Sequence, residues 1–159
     1  MAIAPKLKRF LDQNRATYTH HEHPTAYTAR EVAAVERVPA HEVAKTVVFS
    51  DGDGYGMAVL PGDSMVDMAE LREALGTHRL RLATEEEMQA LFPDMEVGAM
   101  PPFGNLFDLP VYVDADLAQE QTITFNAGTH QDVVQMAYKD FERLVRPVTI
   151  HFAKYPAAL

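Results

Sequence analysis

The sequence predicts an α+β protein with a mixed β-sheet of about seven strands and four or five helices. Segments with helical spacing of apolar residues end at capping residues, while other short segments are rich in β-branched residues and alternate between apolar and polar. Between two of these short segments, Asp51-Gly52-Asp53-Gly54 is typical of a tight hairpin turn. Strands connected mostly by hairpins, with helices between some of them, indicate the α+β class.

Five segments have the features of helices. In the first, apolar residues recur on one helical face after Pro5, a residue that the first turn tolerates. Two others begin at Thr28 and Thr84, each followed three positions later by a glutamate, which is the pattern of a capping box. Another ends before Gly76, a residue suited to a helix C-terminus. The predicted helices are 5–14, 28–37, 67–75, 84–92 and 138–145.

The predicted strands are short, and most are bounded by glycine, proline or aspartate. The apolar run 44–50 indicates a strand that is buried on both faces. Residues 155–159 are expected to form a loose tail. The other predicted strands are 17–23, 55–60, 79–83, 110–114, 122–125, 132–136 and 148–152.

Composition restricts the classes of protein that the chain can be. Its 159 residues, 47% of them hydrophobic, suit a single domain, 1–159, with a substantial core. With no cysteine, disulfides, thiolate metal sites and cysteine nucleophiles are excluded. No apolar run approaches a bilayer span and the N-terminus lacks a signal peptide, so we expect a cytoplasmic protein without a membrane partner. A net charge of −9 argues against binding along duplex DNA, so any nucleic-acid contact must be local.

The most unusual local feature is the uncharged loop Gly98-Ala99-Met100-Pro101-Pro102-Phe103-Gly104. Glycine permits positive φ and close approach of a ligand, whereas each proline fixes its own φ and restricts the residue before it. A stiff backbone of this kind can present the amides of Ala99 and Met100 to an anion or a polarised carbonyl. A plain turn is the alternative interpretation of the loop.

This loop resembles the G-x-x-x-P-(F/L)-G loop of the YbaK/EbsC family, the free-standing relatives of the editing domain inserted in bacterial prolyl-tRNA synthetases. Two further segments resemble the family in the same order: Ala44-Lys45-Thr46-Val47-Val48-Phe49, its lysine-bearing strand, and Phe125-Asn126-Ala127-Gly128-Thr129-His130, its late turn. The resemblance extends over about 17–148. It implies a curved, barrel-like mixed sheet flanked by helices, and hydrolysis in trans of the ester between a small amino acid and a mischarged tRNA.

The resemblance also implies the roles of individual residues. Such an ester is already activated, so the site needs to orient water and stabilise an oxyanion, without a nucleophilic triad. Lys45 matches the key lysine of the family and is expected to position phosphate or ester. The expected catalytic residues are Lys45, Gly98, Ala99, Met100 and Pro102. The expected substrate-binding residues are His21, Tyr27, Thr46, Phe103, Gly104, Asn126, Gly128 and His130.

Some of these roles have structural alternatives. Lys45 could be a strand-end lysine that extends to water, and Gly128-Thr129-His130 could be a hairpin turn with a surface histidine. The chain also departs from several family members, which have a small hydroxyl residue where this chain has Pro101. Proline lacks an amide hydrogen, so this departure puts the number of oxyanion donors and the accepted amino acid in doubt.

No metal or other cofactor is expected. In a strand, His21 and His23 would share one face and His20 would point to the other, without a fourth ligand at suitable spacing. Asp51 and Asp53 lack the later ligands of a calcium loop. A solvated hairpin is the better interpretation of those aspartates.

The expected partner is the acceptor end of an aminoacyl-tRNA, and an aminoacyl-tRNA synthetase is a further candidate partner. Two rival functions stay open from the sequence. One is a non-catalytic module of the same fold that binds an aminoacyl-nucleotide or a protein. The other is a hydrolase of a different small activated ester.

Overall fold

The computed structural model describes residues 2–156, so residues 157–159 of the predicted tail lie outside the described part. Five α-helices form within it, all where the sequence predicts them. None of these helices is long and apolar enough to cross a membrane. The helices are α1 Pro5–Gln13, α2 Ala29–Glu36, α3 Met68–Leu75, α4 Glu85–Leu91 and α5 Tyr138–Val145.

Capping side chains determine where three of the helices begin. At α3, the Asp67 carboxylate accepts a hydrogen bond from the Glu70 amide at 3.1 Å. At α4, the Thr84 hydroxyl accepts a hydrogen bond from the Glu87 amide at 3.1 Å, and the Glu87 carboxylate accepts one from the Thr84 amide at 2.9 Å. The full capping box is therefore confirmed there. At α2, Thr28 accepts from the Glu31 amide at 3.1 Å. Within the described residues Glu31 does not return the bond, so only half of that predicted box forms.

Ten strands form three sheets in the described part of the chain. The largest is mixed, in the order β5-β2-β3-β6-β9, with antiparallel pairs around β2 and parallel pairs on both sides of β6. A second, antiparallel sheet has the order β1-β8-β7, and β4 pairs with β10. The strands are β1 Tyr18–Glu22, β2 Ala44–Ser50, β3 Tyr55–Pro61, β4 Met65–Val66, β5 Arg81–Leu82, β6 Val111–Asp114, β7 Thr122–Asn126, β8 Asp132–Ala137, β9 Val148–Ile150 and β10 Ala153–Lys154.

The mixed α+β class is confirmed, but the strand count is wrong. The two strands that fall outside the predicted ranges, β4 and β10, have two residues each, too few for alternation to be visible in the sequence. The predicted loose tail is also wrong at its start, because the Tyr155 hydroxyl donates to Asp116 at 2.8 Å. Within residues 2–156 the sheets do not close into a barrel, and the barrel-like curvature stays a prediction.

The predicted hairpin joins β2 to β3. The Asp51 carboxylate accepts hydrogen bonds from the amides of Asp53 at 2.9 Å and Gly54 at 2.7 Å, so the side chain closes the turn. β2 is buried along its second half but only half-buried at Lys45 and Thr46, so the predicted burial on both faces is only partly confirmed. The less buried start of β2 faces the candidate site described below.

Within residues 2–156, one isolated parallel bridge joins the two larger sheets. Val43, directly before β2, pairs with Thr124 in β7. The largest core cluster lies around this junction and includes the rings of Phe103, Phe125 and Phe141, which are fully buried. The bridge therefore brings the start of β2 beside the end of β7.

The core approaches Gly104 so closely that a side chain does not fit. A Cβ there would lie 2.7 Å from the Leu109 carbonyl oxygen and 2.7 Å from a Val111 methyl carbon. We expect Gly104→Ala to lower the free energy of unfolding by about 1–3 kcal/mol, because overpacking must move backbone. Chemical denaturation measures it. The control is Gly54→Ala, where no atom lies within 4 Å. Equal stability of the two variants would contradict the prediction.

Candidate active site

A cleft of about 430 Å³ opens where β2, β7 and the start of α2 meet. It brings together residues from all three of the sequence segments singled out above. Five of the predicted site residues line it: Tyr27, Lys45, Thr46, Gly98 and Asn126. Other lining residues, which carry no site signal in the sequence, include Arg30, Asp63, Ser64 and Met65.

Lys45 is the half-buried cation of the cleft. Its ammonium donates to the Ser64 carbonyl at 3.2 Å, in the loop between β3 and β4. Burial lowers the pKa of Lys45, and the nearby charge of Arg30 lowers it further. A carbonyl is a neutral partner, so the ammonium keeps its capacity to attract an anion or a developing oxyanion.

Arg30 adds a second positive charge from the first turn of α2, where Thr28 and Ala29 also line the cleft. The positive end of the helix dipole therefore lies at the same opening as the two cations. The capping pattern could have placed Arg30 in the first turn of a helix. It could not show which cavity that turn would border, because this depends on how α2 packs against the sheets.

Asn126 lies beside Lys45 because of the parallel bridge between Val43 and Thr124. Two residues after the bridge on each strand, Lys45 and Asn126 reach the same level, and both line the cleft. The Asn126 side-chain oxygen is buried and has no hydrogen-bond partner among the described residues. A buried oxygen without a donor is unfavourable, so the site is suited to a ligand that supplies one.

Gly98 is the residue of the glycine–proline loop that reaches the cleft. Its φ of +88° is a conformation that glycine adopts without strain. The Gly98 amide donates to the sulfur of Met100 at 3.3 Å, whereas the Ala99 amide donates to the Glu96 carbonyl at 3.0 Å. Within residues 2–156 the Met100 amide has no acceptor. The side chains of Ala99 and Met100 are buried.

The second half of the loop anchors it in the core and does not line the cleft. Pro102 and Gly104 are buried, and Phe103 is 0% exposed. The centroid of the Phe103 ring lies within 6.0 Å of the ring centroids of Phe10, Phe125 and Phe141. The close approach at Gly104 is made by the protein's own Leu109. The geometry therefore gives these residues a supporting position.

Four hydrogen bonds clamp residues 96–99 to the turn at 128–130. The Gly128 amide donates to the Ala99 carbonyl and the Glu96 amide donates to the Gly128 carbonyl, both at 2.9 Å. His130 contributes its amide to the Glu96 carboxylate at 2.7 Å and its Nε2 to the Val97 carbonyl at 2.9 Å. The clamp fixes the segment that ends in Gly98.

Gly128 and His130 do not line the cleft but contact residues next to it. At Gly128, with φ +105°, an added Cβ would lie 2.8 Å from the Ala4 Cβ, so the close neighbour there is the N-terminal segment. The His130 ring packs 4.9 Å from the Tyr27 ring, measured between centroids. His130 is thus buried, not a surface histidine, and it supports both Gly98 and Tyr27.

The histidines of β1 have separate partners. His21 lies outside the cleft, with Nδ1 2.8 Å from a Glu36 carboxylate oxygen. His20 lies 2.7 Å from the buried Asp132 carboxylate. Among the described residues, His20, Glu22 and Asp132 form a group whose ligand atoms lie within 4.8 Å of one another, compact enough for a metal ion. This group does not line the cleft.

Glu96 is the clamp residue that the sequence analysis missed, because an exposed glutamate in a loop has no distinguishing pattern. We expect Glu96→Ala to lower the free energy of unfolding by about 1.5–3 kcal/mol, since its carboxylate accepts a hydrogen bond from the His130 amide at 2.7 Å. Glu96→Gln should recover most of the loss. Urea denaturation checks both variants against Glu73→Ala, which removes an exposed α3 carboxylate with no hydrogen bond in the described part. A Glu96→Ala effect no larger than this control would exclude the clamp.

The chain is similar in sequence to a prolyl-tRNA editing protein and to part of a proline–tRNA ligase. The chain is 25% identical over 142 residues to the prolyl-tRNA editing protein ProX of Acetoanaerobium sticklandii, and the match covers 86% of each chain. It is 33% identical over 81 residues to a proline–tRNA ligase of Thermosipho africanus, covering 51% of this chain but 14% of the ligase.

A solved structure and a family description complete the comparison. The crystal structure of a candidate trans-editing enzyme for prolyl-tRNA synthetase superposes with a TM-score of 0.82 and 23% identity, covering 96% of this chain and 99% of that one. This agreement confirms the fold. The aminoacyl-tRNA editing domain family matches residues 23–144, more than half of the sequence. The resemblance inferred from the three segments is therefore confirmed, and the chain belongs to the aminoacyl-tRNA editing domain family.

Proposed function

We propose that this protein is a trans-acting deacylase that hydrolyses the ester between a small amino acid and the terminal adenosine of a mischarged tRNA. The observation that carries the proposal is the meeting of Lys45, Gly98 and Asn126, one from each family-like segment, in a single cleft. Family membership and the trans-editing relatives support it. The relatives' names favour a proline tRNA as the mischarged substrate.

In the proposed reaction, a water oxygen adds to the ester carbonyl carbon and gives a tetrahedral oxyanion. The bond between the carbonyl carbon and the ribose oxygen then breaks. The ribose oxygen takes one proton of the water, the other proton goes to solvent, and the amino acid leaves as a carboxylate. Because the ester is activated, orienting the water and stabilising the oxyanion are sufficient tasks for the site. A neighbouring ribose hydroxyl of the substrate helps to orient the water.

Lys45 stabilises the oxyanion or a nearby phosphate, with Arg30 adding to the positive potential. The cleft is partly closed to water, so these charges act more strongly than they would in bulk solvent. The Met100 amide, which has no acceptor in the described residues, is the donor that we assign to the oxyanion. The Gly98 amide has the Met100 sulfur as its acceptor, and the Ala99 amide has a carbonyl acceptor. Pro101 contributes no amide, which leaves this loop with fewer donors than its length suggests.

The unpartnered oxygen of Asn126 has a natural donor in the proposed substrate. An aminoacyl ester carries an α-ammonium group next to the carbonyl, and this ammonium can satisfy the buried oxygen. At the rim, Tyr27 is 68% exposed and Met65 is 52% exposed, which provides an apolar surface for the terminal adenine. Thr46 lines the cleft beside Lys45. Pro102, Phe103, Gly104, Gly128 and His130 hold the walls in place.

The proposal extends to the setting in which the protein acts. We propose that residues 1–159 form a single domain and act in the cytoplasm, where tRNA is charged. The partner is the acceptor end of the tRNA, and an aminoacyl-tRNA synthetase is a second proposed partner. The similarity to a segment within a proline–tRNA ligase supports a link to that synthetase.

A panel of mischarged tRNAs tests the function directly. Purified protein is incubated with each aminoacyl-tRNA, and the loss of the ester is measured against spontaneous hydrolysis. We expect faster hydrolysis for at least one small amino acid on a tRNA for which it is not cognate. Binding without hydrolysis across the panel would favour the non-catalytic module. Equal turnover of small esters without nucleic acid would favour the general ester hydrolase.

Lys45→Met provides a sharper test of the same site. Loss of the ammonium should reduce kcat/KM by about 100-fold or more, the effect of removing an oxyanion donor. The lowered pKa of Lys45 means that its charged form is less favourable in the folded protein than in the unfolded chain. Removing this charge should therefore not lower the Tm. Wild-type activity should fall as the pH rises through this lowered pKa. Lys139→Met, at an exposed position of α5, is the control. Unchanged turnover of Lys45→Met would show that Lys45 is a solvated strand end.

We expect activity to survive exhaustive chelation. In the one compact His/carboxylate group of the described residues, Asp132 is already hydrogen-bonded to His20 and to the Thr129 hydroxyl at 2.5 Å. Neither His20 nor Asp132 lines the cleft. The measurement is turnover before and after treatment with EDTA. Loss of turnover that zinc restores would show that a metal takes part.

A further inference from the structure

A second cavity, of about 520 Å³, is lined by the segment that leads into the loop bearing Gly98. Its walls come from the start of α1, the segment after α4 and the ring of Phe107. Lys6, Arg9 and Asp94 are the charged residues among its lining, and the remainder is apolar. The proposed reaction does not use this cavity.

An aromatic ring with a cation above it forms one wall. The Lys6 ammonium lies 4.7 Å from the centroid of the half-buried Phe107 ring. Phe92 contacts that ring edge-on, with centroids 4.8 Å apart and an interplanar angle of 83°. The edge contact fixes the orientation of Phe107. A base can stack on the face below Lys6 once this flexible side chain moves its ammonium from the ring to the phosphate. Proteins that bind single-stranded nucleic acid stack its bases on aromatic side chains and contact its phosphates with nearby Lys or Arg.

The cations at this cavity belong to a basic segment of an acidic chain. Residues 2–16 contain four of the chain's 14 Lys and Arg but one of its 23 Asp and Glu. Lys8 is paired with Asp12 at 2.6 Å. Lys6 and Arg9 have no acidic partner in the described part of the chain. Two unpaired cations over an apolar cavity are complementary to a phosphate with an attached base, and less so to a purely apolar segment of a partner protein.

The second cavity and the cleft are lined by different residues of neighbouring chain segments. Met95 lines the second cavity and Gly98 lines the cleft, so at most about 10 Å of chain separates the two positions. On the opposite side, Ala4 lines the second cavity and its amide donates to the Ala127 carbonyl at 2.8 Å, next to Asn126 of the cleft. A short flexible chain could therefore occupy both cavities at once.

We propose that this second cavity binds an unpaired nucleotide of the tRNA acceptor end, just before the terminal adenosine. Its base stacks on Phe107, its phosphate lies against Lys6 and Arg9, and Asp94 accepts a hydrogen bond from an exocyclic amine, as carboxylates do from cytosine. This inference rests on the proposed function and adds the nucleotide contact that the cleft alone lacks. It explains how an acidic protein holds a polyanion at its end.

The test compares two variants that remove equal charge. Lys6→Ala with Arg9→Ala removes both cavity cations, and Lys8→Ala with Arg143→Ala is the control outside the cavity. Each is assayed with a mischarged acceptor-stem minihelix and with an aminoacyl-adenosine that has no further nucleotide. For the cavity variant we expect kcat/KM on the minihelix to fall about tenfold or more, and its logarithmic salt slope to become shallower by about 0.7, for one lost single-strand phosphate contact. Aminoacyl-adenosine turnover should not change.

Unchanged minihelix turnover in the cavity variant would overturn the inference, and so would a loss that the control variant shares. A loss that appears only when a synthetase is present would instead identify a protein-docking surface. If the wild-type protein hydrolyses neither substrate, the proposed function fails. Calorimetric binding of the trinucleotide cytidylyl-cytidylyl-adenosine then decides the inference separately. Weaker binding to the cavity variant and to Phe107→Leu, which keeps an apolar side chain but removes the ring, supports the inference, and unchanged binding rejects it.

Discussion

The site depends above all on the hydrogen-bonded clamp between residues 96–99 and the turn at 128–130. A loop of this length loses much conformational entropy on ordering, and backbone bonds to a second turn offset that loss. The clamp positions Gly98 at the cleft and buries His130 against Tyr27. It also links two of the three segments that are similar to the family. Without it, Lys45 would have no fixed donor group opposite it.

The third segment reaches the same place through a backbone contact of a different kind. The parallel bridge from Val43 to Thr124 aligns Lys45 with Asn126. For both side chains, burial of a polar group is unfavourable. Burial lowers the pKa of the ammonium, and the amide oxygen has no donor in the described residues. Groups held at such a disadvantage in the folded protein are those that a substrate can stabilise on binding. The lowered pKa of Lys45 and the unpartnered oxygen of Asn126 therefore indicate a binding site more directly than the positions of the two residues do.

The parts of the fold that local chemistry determines could be predicted from the sequence. Helix starts follow from caps such as Thr84, and the β2–β3 turn follows from the Asp51 carboxylate, because each interaction spans a few residues. The β4–β10 pair could not be predicted, because each two-residue strand is held by pairing with residues that are far away in the sequence. The site shows the same division: Lys45 and Gly98 carry sequence signals, whereas Arg30 and Glu96 acquire their positions only through tertiary packing.

Charge distribution connects the site to its proposed substrate. A net charge of −9 repels a polyanion at long range, so the affinity for tRNA must come from contacts that act within about a Debye length, roughly 8–10 Å. The two cavities provide cations for such short-range contacts. These are Lys45 and Arg30 in the cleft, and Lys6 and Arg9 in the second cavity. Under the proposed function, weak overall attraction would release a correctly charged tRNA quickly, while an ester that fits the cleft would react during a brief encounter. An acidic surface with local cations thus favours selection by the aminoacyl end over selection by the body of the tRNA.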